Sequence, residues 1–511
     1  VVALGLLATA CTSPPDGGSA DTASAESARS IDDGTGGDSS VEGEPADTDA
    51  VGDGTEDADD AGDDSAADDA GDDRPALAAG EFNPRSGFGD PPAIPDRYDS
   101  SITTSLDVIF GVGLSEASFA TTHRAALQVV EDTGDVRNAW YVADLLRFFG
   151  PGSGALVSTA EALTERDLSD WSPWVDLVDH LIAWDIPAPP GYLTYKRDLF
   201  TEVLPAWEPF FEDGAGVDYR IWSWGGVGID DRPFDQTDRG CNCIPAADNP
   251  EVTDAAGGDW YDDDRIVFGV EINGETRAYP RNIMEIREMI NDTLGGRDIA
   301  MPYCTLCGSA QVYLTDELPA GVDRPVMRTS GLLSRSNKVM YDINSFSVFD
   351  TFTGEAVTGA LAELGLQLEQ AGVVTTTWGE WKAEHPDTTI LARSLALGRE
   401  SDLLAGRDAD GPIFPVGDVD PRLPVQEPVL GVITDSGRAV AFPADAARRV
   451  LLEGGEVRFE NITVELFGGG VRAVDGDGAV DGDGAGADAG GHQAFWFAWS
   501  QFHSDTKIWS P

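Results

Sequence analysis

Lysine, cysteine, histidine and methionine are all scarce in this chain of 511 residues. There are five each of Cys, His and Met, and only Lys196, Lys338, Lys382 and Lys507 are Lys. Few cysteines exclude a disulfide-built miniature scaffold, so each thiol needs its own explanation. Positive charge is short as well. Against 33 Lys and Arg stand 91 Asp and Glu, a net charge of −58. Such a surface repels phosphate, which excludes nucleic acid as a partner. An acidic, Lys-poor composition fits a salt-adapted or high-GC organism, or a surface kept soluble by charge. Also missing is any apolar run as long as a transmembrane helix.

The longest such run is the start, Val1-Val-Ala-Leu-Gly-Leu-Leu-Ala-Thr-Ala-Cys11. About ten apolar residues are too few to span a bilayer, so 1–11 reads as a cleaved signal segment rather than an anchor helix. It has no initiator Met and no basic stretch, so the front is expected to be truncated. Leu7-Ala-Thr-Ala-Cys11 has the pattern of a bacterial lipobox, which makes Cys11 the lipidation site. The alternative is an ordinary secretory signal. Both place the mature chain outside the cytoplasm, where thiols tend to oxidise, and the first attaches it to the membrane by a lipid.

Residues 12–80 hold 21 acids against Arg29 and Arg74, with almost no large apolar side chain. That balance self-repels and predicts a disordered acidic tether. Its Asp-Gly runs lack the spacing and closing Glu of a calcium-binding loop.

Over 95–220 the apolar spacing becomes helical. Ala139-Trp-Tyr-Val-Ala-Asp-Leu-Leu-Arg-Phe-Phe149 repeats at three and four, and Gly150-Pro151-Gly152 breaks it. Further helical runs lie at 156–163, 174–184 and 195–211, with Asp170 and Ser172 as candidate caps. Short helices joined by tight breaks predict a HEAT-like array of two or three pairs, a surface suited to a protein partner. His123 and His180 read as ordinary helix residues.

From 221 to 511 the chain reads as a β-rich α+β domain with an internal duplication. Val267-Phe-Gly-Val-Glu-Ile-Asn-Gly-Glu-Thr-Arg-Ala-Tyr-Pro280 and Val429-Leu-Gly-Val-Ile-Thr-Asp-Ser-Gly-Arg-Ala-Val-Ala-Phe-Pro443 are each strand, Gly-containing turn, strand and aromatic-Pro. Helices are predicted after each Pro, at 281–290 and 444–452, then strands at 297–303 and 460–467. The copies end alike: Trp378-Gly-Glu-Trp381-Lys-Ala-Glu-His385-Pro-Asp387-Thr388 and Trp496-Phe-Ala-Trp499-Ser-Gln-Phe502-His503-Ser-Asp505-Thr506. The half-domains are therefore about 265–390 and 427–508. Copy one carries Cys304-Thr-Leu-Cys307 where copy two has only Gly468-Gly-Gly470. The Asp/Gly/Ala stretch 475–491 reads as a flexible insertion.

The run Gly274-Glu-x-Arg-Ala-Tyr-Pro280, Ile290-Asn-Asp292, Gly295-Gly296 and Tyr303-Cys-x-Leu-Cys-Gly-Ser-Ala310 resembles the bacterial and archaeal family "domain of unknown function 3179". So do Ser330-Gly-Leu332, Met340-Tyr-Asp342, Thr375-Thr-Thr-Trp378 and His385-Pro-Asp-Thr388. The resemblance covers about 220–511. It implies an exported, often lipid-anchored protein of unassigned activity. Arg287 stands where the family usually has His, so no metal or proton role carries over there. Thr305 stands where Pro is common.

Three readings compete for Cys241, Cys243, Cys304 and Cys307. The first is structural disulfides linking the 241/243 pair to the 304/307 pair. The second is a metal site for zinc or Cu(I), with His385 and His503 as further ligands; against it, each His-x-Asp-Thr also reads as a helix-stop turn. The third is thiol–disulfide exchange by Cys304 and Cys307, although no amphipathic helix follows the pair. Ser309 has no evident His partner, and Gly468-Gly-Gly470 is no phosphate loop. The expectation is a binding module with a Cys-centred metal or disulfide site rather than an enzyme. The alternatives are a thiol–disulfide oxidoreductase, or an envelope scaffold whose cysteines only staple it.

Overall fold

A computed structural model describes residues 87–111, 121–150, 153–169, 172–237, 240–399, 411–476 and 488–511. The signal segment, Cys11, the acidic tether and Asp170 lie outside the described residues.

The predicted helices are present, but not as an array. They are α1 (Thr103–Phe110), α2 (Thr121–Glu131), α3 (Ala139–Phe149), α4 (Gly154–Thr164), α5 (Pro173–Ala183) and α6 (Tyr192–Val203). A solenoid repeat touches only its sequence neighbours. Here α3 is buried at nine of its eleven positions and packs against α4, α5 and α6. A helix buried on nearly every face sits at a centre, so the helices form a cluster around α3. Ser172 is the N-cap residue of α5 without a side-chain capping bond. Within the cluster Lys196 Nζ meets Asp144 Oδ1 at 2.6 Å and the Tyr192 hydroxyl at 3.1 Å. Burial lowers the Lys196 ammonium and raises the Asp144 carboxyl, each opposing the pair.

The cluster shares its core with the first sheet of the β region. Leu332, Leu333, Val339, Tyr341 and Val348 are buried with the helix side chains. That sheet runs Trp222–Trp224, Met327–Ser334, Asn337–Asp342, Val348–Asp350, all antiparallel. The glycines and aromatics around 221–228 mark this junction. Trp207 Nε1 donates to Ser330 O at 2.8 Å, and a side chain on Gly331 (φ +77°) would run into Val227 and Gly228 backbone.

Among the described residues five small sheets make up the β region and give it a five-bladed, propeller-like look. The sheets are not consecutive segments, because one takes strands from 252 to 391. Two of them repeat one plan. Val374–Thr377, Ile266–Ile272, Glu275–Pro280 and Thr389–Leu391 lie side by side; so do His492–Phe495, Pro428–Ile433, Ala439–Pro443 and Lys507–Ile508. In both, two antiparallel pairings are followed by a parallel one. In both, a short helix, Trp378–Glu384 or Trp496–Phe502, packs an indole flat on a strand glycine. A methyl on Gly269 would enter the Trp381 ring, and one on Gly431 the Trp499 ring.

The first hairpin helix stops at Arg287, short of the predicted 290. Glu288 turns left-handed (φ +53°), and Met289–Leu294 then pairs antiparallel with Arg297–Cys304. In the second copy the helix is Ala444–Leu452 and the strand Ile462–Phe467, with Glu460 and Asn461 at positive φ in the hairpin turn before it.

Candidate functional site

The strand Arg297–Cys304 delivers Cys304 into a tight turn, in which Cys307 N–H donates to Cys304 O at 3.2 Å. Gly308 (φ +59°) leaves that turn, and a side chain there would strike the ring of Phe495. The turn of the first copy therefore rests on the aromatic segment of the second. The reverse holds too: side chains on Gly468 and Gly469 would strike Trp381 and Glu380. The Cys-x-x-Cys turn is thus seated on Phe495, at the strand end before the second copy's tryptophan helix, and the glycine turn on Trp381 and Glu380 within the first copy's helix.

Between the two turns opens a cleft of about 410 Å³. The first copy contributes Phe268, Arg281, Tyr303, Gly308, Thr375–Thr377 and Glu380; the second contributes Pro428, Asp445, Arg448, Gly469, Gly470 and Gln493–Phe495. One ion pair crosses it: Arg448 Nη2 meets Glu380 Oε1 at 2.6 Å while Arg448 Nε donates to Gly469 O at 2.7 Å.

Behind the Gly308 floor lie the two thiols, 2 % and 0 % exposed. Both sulfurs lie 3.5 Å from Ser336 O, and Cys307 Sγ is 3.6 Å from Ser336 Oγ. Phe352, Val429, Phe495 and Trp499 pack in the same cluster. Burial alone would raise Cys304. The Cys307 thiol and the backbone N–H groups of Lys338, Cys307 and Leu306 donate to its sulfur and leave it lowered. Burial and the Cys304 sulfur push Cys307 well above its ordinary value. Thr305 Oγ1 donates to Glu288 Oε1 at 3.0 Å, and Glu288 also pairs with Lys338. Burial pushes the Lys338 ammonium down to about 7; the Glu288 carboxylate beside it pulls the other way.

The residues singled out in the sequence divide into separate places. Cys241 and Cys243 are bonded to each other, while Cys304 and Cys307 are free thiols. The expected bridge between the two pairs is thus replaced by one inside the first pair. The reason is distance. Cys243 pairs with Gly228, which packs against Gly331, whereas the thiols face Ser336, so the end of the strand Met327–Ser334 and its turn lie between. Among the described residues the one cluster of three Cys, His, Asp or Glu with ligand atoms close together is Asp230, Cys241 and Cys243. Its sulfurs are oxidised, and Asp230 is engaged by Arg232 Nε and Nη2, both at 2.6 Å, and by Ala246 N–H at 2.9 Å.

His385 and His503 do not join either thiol pair. Each caps its helix by donating its backbone N–H to Trp381 O or Trp499 O. Each ring lies 4.3 Å from that tryptophan, and each tryptophan Nε1 donates to Thr388 or Thr506 Oγ1. The helix-stop reading accounts for both motifs. Arg287, at the family's usual His position, donates Nε to Leu395 O at 2.9 Å. Asp292 of the family motif receives Arg277 Nη1 at 2.6 Å and the Tyr279 hydroxyl at 2.7 Å. Asn291 bridges Asp248 and Met327. These motif residues build the frame. Ser309 is buried, and its hydroxyl has no hydrogen-bond partner.

Sequence reasoning passed over His492. Its ring contacts Phe352 and Trp499, with Gln370 2.8 Å from Nδ1 and Gln311 3.3 Å from Nε2. The signal available was its place at an inward position of the strand that matches Val374–Thr377.

Residues 241–464 match the family described as "Protein of unknown function (DUF3179)". This is the family the motifs resemble. No curated protein and no solved structure matches the chain. Among the described residues no helix is long and apolar enough to cross a membrane.

Proposed function

We propose that this is an exported, lipid-anchored binding module built from a duplicated half-domain, with its ligand site in the cleft between the copies. The carrying observation is that both copies line one cleft while each seats its turn on the other. Pockets at the junction of two related units are the common place for a small ligand. Arg281, Arg448, Glu380 and Asp445, together with the Thr375–Thr377 hydroxyls, favour a small polar molecule carrying both donors and acceptors.

Native mass spectrometry on protein released gently from its own membranes tests this. The wild type should carry one small bound mass that is absent from Thr375→Trp, which fills the cleft from a half-buried position. Equal masses on both, or none on either, would overturn the reading. Cys11→Ala should move the protein out of the membrane fraction; retention there would remove the lipid anchor from the proposal.

A second reading, thiol–disulfide exchange, draws on the asymmetry of the thiols, with Cys304 lowered and Cys307 raised. Their burial stands against it, because exchange needs an approachable sulfur. A gel-shift thiol trap on the native protein separates the two. Rapid modification of Cys304 supports exchange, and protection until unfolding rejects it.

A further inference from the structure

We propose that Cys304 and Cys307 together hold one Cu(I) ion. Both sulfurs already face one point, the Ser336 carbonyl, at 3.5 Å each. The tight turn fixes them, with Cys307 N–H on Cys304 O and Gly308 in a conformation that favours glycine.

The ligand set selects the ion. Zinc takes four ligands, and no third Cys, His, Asp or Glu among the described residues joins this pair. Cu(I) is soft, prefers thiolates and is satisfied by two of them. Binding replaces two thiol protons, which leave to solvent, and gives a bis-thiolate complex with one net negative charge. The apolar shell of Phe352, Phe495 and Trp499 keeps water and oxidants away from an ion that water would otherwise disproportionate. Burial that makes the pair a poor exchange catalyst is no obstacle to a bare ion. This site is separate from the cleft ligand, since it lies behind the floor rather than in the opening.

The test is an anaerobic titration of reduced full chain with Cu(I) against a chromogenic Cu(I) chelator. Wild type should withhold one equivalent per chain. Cys241→Ser/Cys243→Ser should withhold the same, and Thr375→Trp should too, which distinguishes this site from the cleft. Cys304→Ser/Cys307→Ser should withhold none. If that last variant fails to fold by circular dichroism, copper X-ray absorption on the wild type decides. Two sulfur neighbours at the metal support the site. Nitrogen or oxygen neighbours alone, no withheld copper, or equal withholding by a folded double-serine variant would overturn it.

Discussion

His492 and His503 are neutral wedges in an aromatic pocket. Burial pushes them down to about 3 and about 4, from 6.5. Each folded-state value lies below its unfolded one, so the unfolded chain binds more protons as pH falls from about 6.5. Stability is then lost through that window and levels off below the folded values. One unit corresponds to about 1.4 kcal/mol, so the loss is a few kcal/mol per residue. Asp179 and Asp350, raised by burial to about 6, act in the opposite sense below pH 6. The comparison is therefore between wild type and His492→Gln. Urea midpoints from pH 7 to 4 should fall less steeply in the variant, and parallel curves would contradict this. Deep in the helical cluster, Lys196→Met should cost about 3–5 kcal/mol by stranding Asp144, read as a drop in urea midpoint.

At the scale of elements, the repeated unit is a strand glycine under an indole. Gly269→Ala and Gly431→Ala each force a methyl into a tryptophan ring and should cost about 1–3 kcal/mol. Trp381→Phe and Trp499→Phe each leave a buried threonine hydroxyl without its indole donor and should cost about 1–3 kcal/mol. Thermal melts check all four, and unchanged melting in either copy would mean its indole is not seated. This unit was half legible in the sequence. Hairpin, Pro, helix and Trp-x-x-Trp recur in order, and strands and helices follow from that local pattern. The seating of each turn on the other copy was not legible, because it depends on where residues 87 to 187 positions apart meet. The helical array failed for a related reason. Periodicity shows that Ala139–Phe149 is helical, but not that three helices surround it. The thiols were legible as chemistry and not as geometry: nothing in Cys241-Asn-Cys243 says that its partner is two residues away.

Across the whole molecule, helices and the first sheet share a core, while the two copies meet around a cleft crossed by one ion pair. Arg448 and Glu380 are both about 40 % exposed. A double-mutant cycle on this pair should give no more than about 1 kcal/mol, so the charges are available to a ligand rather than needed for the fold. A much larger coupling would make them structural.

The most direct measurement is a crystal structure of the protein as released from its own membranes. Density for a small molecule between the Glu380–Arg448 pair and the Gly308 turn is the expected result. A cleft holding only water, with a bound molecule elsewhere on the chain, would contradict it.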